Sequence, residues 1–124
     1  MAADGGARHL VQLGWPAHIL AGDMDSCRPE TVQSLPKAQG YRQLIYPREK
    51  DEIDFEILLA LALEKLEAGG EITVLGALGG RWDMTAANLW VPFADKYLKL
   101  WPRSRITFRT AETDIFGLQG PSRL

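Results

Sequence analysis

The sequence predicts an α/β fold, a parallel sheet with helices along its faces. Three observations carry this reading. Strand-like and helix-like segments alternate along the chain. Ile72-Thr73-Val74-Leu75 is a nearly continuous apolar run, which suits a central parallel strand. Four short acidic or glycine-rich patches stand where a strand ends or a helix begins. They are Ala3-Asp4-Gly5-Gly6-Ala7, Gly22-Asp23-Met24-Asp25-Ser26, Lys50-Asp51-Glu52-Ile53-Asp54 and Gly76 to Asp83. In an α/β sheet such places gather at the carboxyl edge, where ligands bind.

The elements follow in order. A Gly-Gly turn normally follows a strand, yet almost nothing precedes Asp4-Gly5-Gly6, so the natural start is expected further upstream. Ala7 to Leu13 has helical spacing and stops at Gly14. Ala17 to Ala21 is a short apolar strand leading into Gly22-Asp23. Pro29 to Ala38 reads as a short helix or irregular turn between two prolines. Tyr41 to Tyr46 reads as a strand closed by Pro47. Asp51 to Ala68 is the strongest helix: Ile53, Ile57, Leu58, Leu61 and Leu66 fall at helical intervals, and the stripe is broad enough to cover a sheet. Gly69-Gly70 ends it. Glu71 to Leu78 is the apolar strand, and Thr85 to Leu100 is helical, kinked or shortened near Pro92. After Trp101-Pro102 the pattern alternates around Ile106-Phe108 and Ile115-Phe116, with a polar turn between. This reads as a β-hairpin opening an all-β domain. The expected division is therefore 1–101 and 102–124. A lone hairpin leaves open strand edges, so the chain is expected to associate.

The 124 residues allow one domain or part of one, with an ordinary soluble composition of 46% hydrophobic and 24% charged residues. A net charge of −2 gives no electrostatic case for nucleic-acid binding. Arg103, Arg105 and Arg109 form the densest basic cluster and read as solvated surface. Cys27 is the single cysteine, which fits a reducing compartment; it reads as a small packing residue. The longest apolar run, Ile57 to Leu63, is too short to span a membrane, and a cytoplasmic location is expected.

Four carboxylates and one glycine loop could carry chemistry. Asp23 and Asp25, two apart on an extended segment, point to one side and form a hard-oxygen pair suited to Mg²⁺. The bland alternative is a solvated turn in which Asp25 or Ser26 caps the next helix. Asp51 and Asp54 stand three apart at a helix start, near one another; taken alone, the pair reads as Asp51 capping the helix and Asp54 favoured by the helix dipole. Lys50 could serve a phosphate or lie exposed. In Gly79-Gly80-Arg81-Trp82-Asp83 two glycines let backbone N–H groups approach an anion just before a helix N-terminus. Arg81 offers a planar fork to phosphate oxygens. Asp83 could orient a substrate or cap the helix; Trp82 reads as packing rather than a stacking platform. Thr85 and Asn88, on the first turns of that helix, could reach the same ligand. His9 and His18 lack partners at metal-ligand spacing, and neither a P-loop nor GxGxxG occurs.

These patches, in this order and at these separations, resemble the thiamine pyrophosphokinase family, whose catalytic domain has an ADGGA turn, a GD(F/M)DS loop, a KDxTD helix start and a GALGGRxDHTxAN segment. Here they stand at Ala3–Ala7, Gly22–Ser26, Lys50–Asp54 and Gly76–Asn88, within roughly the first hundred residues. The resemblance implies a Rossmann-like catalytic domain followed by the first strands of a β-sandwich that contacts thiamine. It also implies transfer of the pyrophosphoryl group of ATP to the hydroxyl of thiamine, giving thiamine diphosphate and AMP, with Mg²⁺ and a homodimer. It assigns Asp4, Asp23, Asp25 and Asp54 to the metal and triphosphate. Gly5, Gly6, Ser26, Lys50, Gly79, Gly80, Arg81, Thr85 and Asn88 go to the nucleotide, and Asp54, Asp83 and Arg81 to catalysis. Two positions depart from the family pattern: Ile53 replaces the usual Thr and Met84 the common His. Two other readings remain: a pyrophosphokinase acting on another alcohol, such as a hydroxymethylpterin, and a nucleotide- or Mg²⁺-binding chain without turnover.

Overall fold

The structure is a computed structural model, and it describes residues 1–47, 49, 53–67, 69–98 and 104–117. The chain divides into two compact units, Met1–Leu58 and Leu59–Leu124.

The first unit is a run of βα units. Strand β1 (Ala2–Ala3) leads through a 3-10 turn over Asp4–Gly6 into helix α1 (Ala7–Leu13). Strand β2 (Ala17–Gly22), helix α2 (Pro29–Ser34) and strand β3 (Lys37–Ile45) follow. The strands form one parallel sheet in the order β1-β2-β3. Helix α1 ends as its sequence dictates: the Gly14 N–H donates to the Val11 carbonyl and the Trp15 N–H to the Leu10 carbonyl, a Schellman closure. Pro29 opens α2 at a position where its missing N–H is harmless. Pro36 forces Leu35 into extended backbone and ends the helix.

Strand β2 is the middle strand, and Ala17, Ile19, Leu20 and Ala21 are all buried. Burial on both faces is what a central parallel strand undergoes. The core of this unit joins Ala2, Ala7, Ala17, Leu20, Cys27 and Leu35, with Leu10, Val11 and Val32 packed against them. Cys27 is thus the packing residue expected of it. Strand β3 begins four residues earlier than its pattern suggests: Ala17 pairs with Lys37 but Ile19 with Arg42, so the extra residues of β3 bulge out of the ladder.

Helix α3 (Asp54–Lys65) occupies the middle of the expected 51–68 segment; Asp51 and Ala68 lie outside the described residues. Leu59 is buried and the other apolar residues of α3 are half-buried.

In the second unit, strand β4 (Gly70–Leu75) is followed by helix α4 (Trp82–Trp90). A 3-10 turn over Val91–Phe93, helix α5 (Asp95–Leu98), strand β5 (Ser104–Arg109) and strand β6 (Asp114–Phe116) complete it. Pro92 interrupts the helix where expected, and the ring is buried in the 3-10 turn. Strands β5 and β6 form the expected antiparallel hairpin. Its turn is held by Thr110, whose hydroxyl accepts the Thr113 N–H at 2.9 Å, and Arg109 grips Asp114 through two 2.8 Å bonds.

The hairpin also has a partner that the sequence pattern hides. Strand β5 pairs in parallel with β4 from Gly70↔Ser104 to Leu75↔Arg109, giving the sheet order β4-β5-β6. The helical crossover between them is the connection a parallel pair requires. Strand β5 alternates because Ile106 and Phe108 are buried while Arg105 and Arg109 are exposed. Strand β4, expected to be central, lies at the edge of this sheet among the described residues. Arg105 sits 3.6 Å from Glu71 across the strands, so the described part of the basic cluster is exposed and paired; Arg103 is outside the described residues.

Candidate functional site

The site in the first unit is built where β1 and β2 end side by side. Parallel pairing of Ala3 with Ala21 places Asp4 beside Gly22, and the loop after Gly22 carries Asp23 and Asp25. One carboxylate oxygen from each of Asp4, Asp23 and Asp25 lies within 4.8 Å of the others. Three of the four carboxylates expected at the metal therefore converge. The fourth, Asp54, reaches the same strand end, with its Oδ2 3.2 Å from the place a Cβ on Gly22 would occupy.

The loop holds its own shape. The Asp25 N–H donates to Asp23 Oδ1 at 3.2 Å, a local Asx turn. Met24 between them has φ 64°, among the described residues the one non-glycine in the left-handed region. Ser26 ties two carboxylates together: its N–H donates to Asp4 Oδ2 at 3.1 Å, and its hydroxyl donates to Asp25 Oδ1 at 3.0 Å. Gly5 and Gly6 form the turn behind Asp4, with no side chain to crowd it.

The electrostatics favour a cation. Asp4 is only 6% exposed, and among the described residues its Oδ1 has no hydrogen-bond partner. Burial raises its carboxyl above the ordinary range; the Ser26 bonds work against that, and the charges of Asp23 and Asp25 push it further up. A buried, half-satisfied carboxylate beside two others is costly without a counter-ion. The donors are hard, acceptor-only oxygens, so Mg²⁺ fits the set. Burial also pushes the Cys27 thiol up, with the Asp4 charge adding to it, which leaves Cys27 protonated and unreactive.

A pH dependence follows. The folded chain releases the Asp4 proton at a higher pH than the unfolded chain, whose value is near 3.8. Between those two values the fold holds more protons, so without a divalent cation this residue removes stability as pH rises through the window. Thermal denaturation with and without Mg²⁺ is expected to show stabilisation by the ion at pH 7 and little at pH 4. Asp4→Asn is expected to lose most of that response; a full Mg²⁺ response in the variant excludes Asp4 as a ligand.

The second set of expected residues lies in the second unit, between β4 and α4. Gly79 and Gly80 have φ of 101° and 72°, which non-glycine residues rarely adopt, and they turn the chain into the helix. Thr85 is buried under this loop: its hydroxyl accepts the Gly79 N–H at 3.2 Å and donates to the Gly79 carbonyl at 3.3 Å. Asn88 Nδ2 donates to the Ala77 carbonyl at 2.8 Å. Both side chains thus brace the loop backbone. Arg81 and Asp83 are exposed and joined as a fork pair, with Arg81 Nε donating to Asp83 Oδ1 at 3.1 Å and Nη2 to Oδ2. That bonding holds the Asp83 carboxyl below its usual range and the Arg81 guanidinium above its own. Trp82, read as a packing residue, is instead 85% exposed. Lys50 lies outside the described residues.

Residues 1–101 match the family model described as thiamin pyrophosphokinase, catalytic domain. The chain belongs to the thiamin pyrophosphokinase family. A solved thiamin pyrophosphokinase family protein from Enterococcus faecalis is 33% identical, with a TM-score of 0.66 over 83% of this chain and 47% of its own. The thiamine pyrophosphokinase from Bacillus subtilis is 27% identical, with a TM-score of 0.68 over 86% of this chain and 47% of its own. The Candida albicans thiamin pyrophosphokinase, at 19% identity and a TM-score of 0.62 over 87% of this chain and 49% of its own, shares the fold. The chain therefore spans about half the length of these family members. No protein of curated function matches it. No described helix is long and apolar enough to cross a membrane.

Two features of the site escaped the sequence reading. Gly22 is needed for close approach to Asp4, and its place between an apolar strand and an acidic pair is the signal that could have marked it. The bracing roles of Thr85 and Asn88 depend on carbonyls that no side-chain pattern reveals.

Proposed function

We propose that this chain carries the pyrophosphoryl-transfer site of a thiamine pyrophosphokinase, using Mg·ATP as donor and the thiamine hydroxyl as acceptor. The observation that supports this most is the convergence of Asp4, Asp23 and Asp25 at the carboxyl end of β2 in a chain of this family. Mg²⁺ held there would neutralise charge on the phosphate chain as the bridging bond lengthens. Asp4, Asp23 and Asp25 would hold the ion, with Asp54 beside them, and Ser26 would keep two of these carboxylates in place.

In this reaction the thiamine oxygen attacks the β-phosphorus, the bond from that phosphorus to the α–β bridging oxygen breaks, and AMP leaves. The hydroxyl proton passes to a carboxylate, for which Asp54 and Asp83 are the candidates. By the family resemblance, Arg81 and the N–H groups of Gly79 and Gly80 would serve nucleotide phosphates. Gly5, Gly6 and Lys50 would border the nucleotide, and Thr85 and Asn88 would support it through the loop they brace. The reading places the working protein in the cytoplasm as a homodimer, with residues 102–124 leading from the catalytic domain toward a thiamine-contacting β-sandwich.

The test is Mg²⁺-dependent AMP release from ATP, with and without thiamine and with and without a hydroxymethylpterin. Thiamine-dependent AMP release is the expected result. Release that follows a hydroxymethylpterin instead would reassign the acceptor. Nucleotide binding with no release for either alcohol would make this a binding protein.

A further inference from the structure

Met24, with φ 64°, occupies a backbone conformation that strains a side chain and that glycine would adopt freely. Yet this position, between two carboxylates of the cluster, holds a long apolar residue. Its side chain is half-buried and packs on the core that joins Ala2, Leu20 and Cys27, while Asp25 next to it is exposed. The turn at Met24 also shapes the cluster. In an extended segment, residues two apart are separated by about 6.6 Å along the strand. Here the chain turns, and the Asp25 N–H reaches back to Asp23 Oδ1 at 3.2 Å. One oxygen of each then lies within 4.8 Å of the other and of an Asp4 oxygen.

We propose that Met24 is a positioning residue for the metal site: its side chain, anchored in the core, holds the turn that keeps Asp23 and Asp25 converged on Asp4. The inference rests on reading the cluster as a divalent-cation site. Three like charges at this separation repel one another, so an unanchored loop would open before an ion arrives. Met24 resists that opening from the core side. The ion then meets carboxylates already gathered, and binding does not have to order them. A glycine would relax the backbone but carry nothing into the core.

The experiment titrates Mn²⁺ alone, a cation that carboxylates take as they take Mg²⁺, and follows the free ion by its paramagnetic resonance signal. It compares the wild-type chain with Met24→Leu, Met24→Gly, Met24→Ala and Asp25→Asn, with a melting curve of each in EDTA. Met24→Leu keeps a side chain of similar volume and is expected to bind as the wild type does. Met24→Gly and Met24→Ala both lack the anchor, and each should lose about tenfold in affinity, as loss of a ligand's outer support does. Their melting points should differ, because glycine tolerates the left-handed backbone and alanine does not. Affinity is thus expected to follow the side chain while stability follows the backbone. Affinity that ranks with melting point, glycine above alanine, overturns the proposal and leaves Met24 a structural residue. A loss in Met24→Leu as large as in Met24→Gly overturns it as well. Should one small variant fail to fold, the other set against Met24→Leu still decides. If Asp25→Asn binds Mn²⁺ as the wild type does, the cluster reading falls and the positioning role with it. A weakened Asp25→Asn beside unaltered Met24 variants rejects the positioning role alone.

Discussion

Asp25→Asn, and separately Asp23→Asn, is expected to weaken Mg·ATP binding by at least roughly 10–100-fold while leaving the thermal midpoint almost unchanged. That range is what disturbing the outer partners of metal ligands produces, so removing a ligand charge should reach it. The fold should survive because Asp25 is exposed and Asp23 half-buried. The local bonds should survive too. An asparagine keeps one side-chain oxygen, so it can still accept the Ser26 hydroxyl at position 25 or the position-25 N–H at position 23. What changes is one negative charge in a group of three whose oxygens lie within 4.8 Å. Isothermal titration with Mg·ATP, beside a melting curve in EDTA, separates the two effects. Unchanged affinity in both variants would sink the metal-site assignment, whatever the activity assay shows.

Gly22→Ala is expected to destabilise the fold by about 2–5 kcal/mol and to abolish the Mg²⁺ response with it. A Cβ there would stand 2.9 Å from Asp4 Cβ and 3.2 Å from Asp54 Oδ2, on a residue with φ 148°. Asp4 Cβ is rooted in the backbone, so it cannot swing aside as the tip of a long side chain would. Nor can β2 shift freely: Gly22 pairs with Ile45, and its carbonyl accepts the Tyr46 N–H at 3.0 Å. The clash can be relieved only by displacing Asp4 or the strand end, and either breaks the carboxylate group. Against a total stability of about 5–15 kcal/mol, such a loss is large. Gly5→Ala is the control. A Cβ at Gly5 meets nothing within 4 Å, and its effect should stay within about 0.5 kcal/mol. Urea denaturation with and without Mg²⁺ measures both; a Gly22→Ala chain as stable as the wild type would show that the strand end is looser than its geometry indicates.

Local chemistry and order along the chain are legible in the residues alone. Gly14 stops α1, Pro29 starts α2, Pro92 breaks the helix after β4, and the polar turn at 110–113 makes a hairpin, because each acts on backbone within a turn or two of itself. The four patches are legible in the same way, as residue types at fixed spacing. Their convergence is a different matter. Asp4 and Ser26 are 22 positions apart, and what joins them is the parallel register of β1 on β2. That register is set by burying Ala2, Ala17 and Leu20 in one core, a non-local property. The partner of β5 was hidden for a related reason. Alternation reports which face of a strand is covered, and it carries no information about which strand lies alongside. The tertiary structure alone decided that Asp4 is buried with an orphan oxygen, that Gly22 must lack a side chain, and that Thr85 and Asn88 hold the glycine loop. The first two depend on the distance between groups far apart in the chain, which exists only once the sheet has formed, and the third on how the loop after β4 folds back over the first turns of its helix.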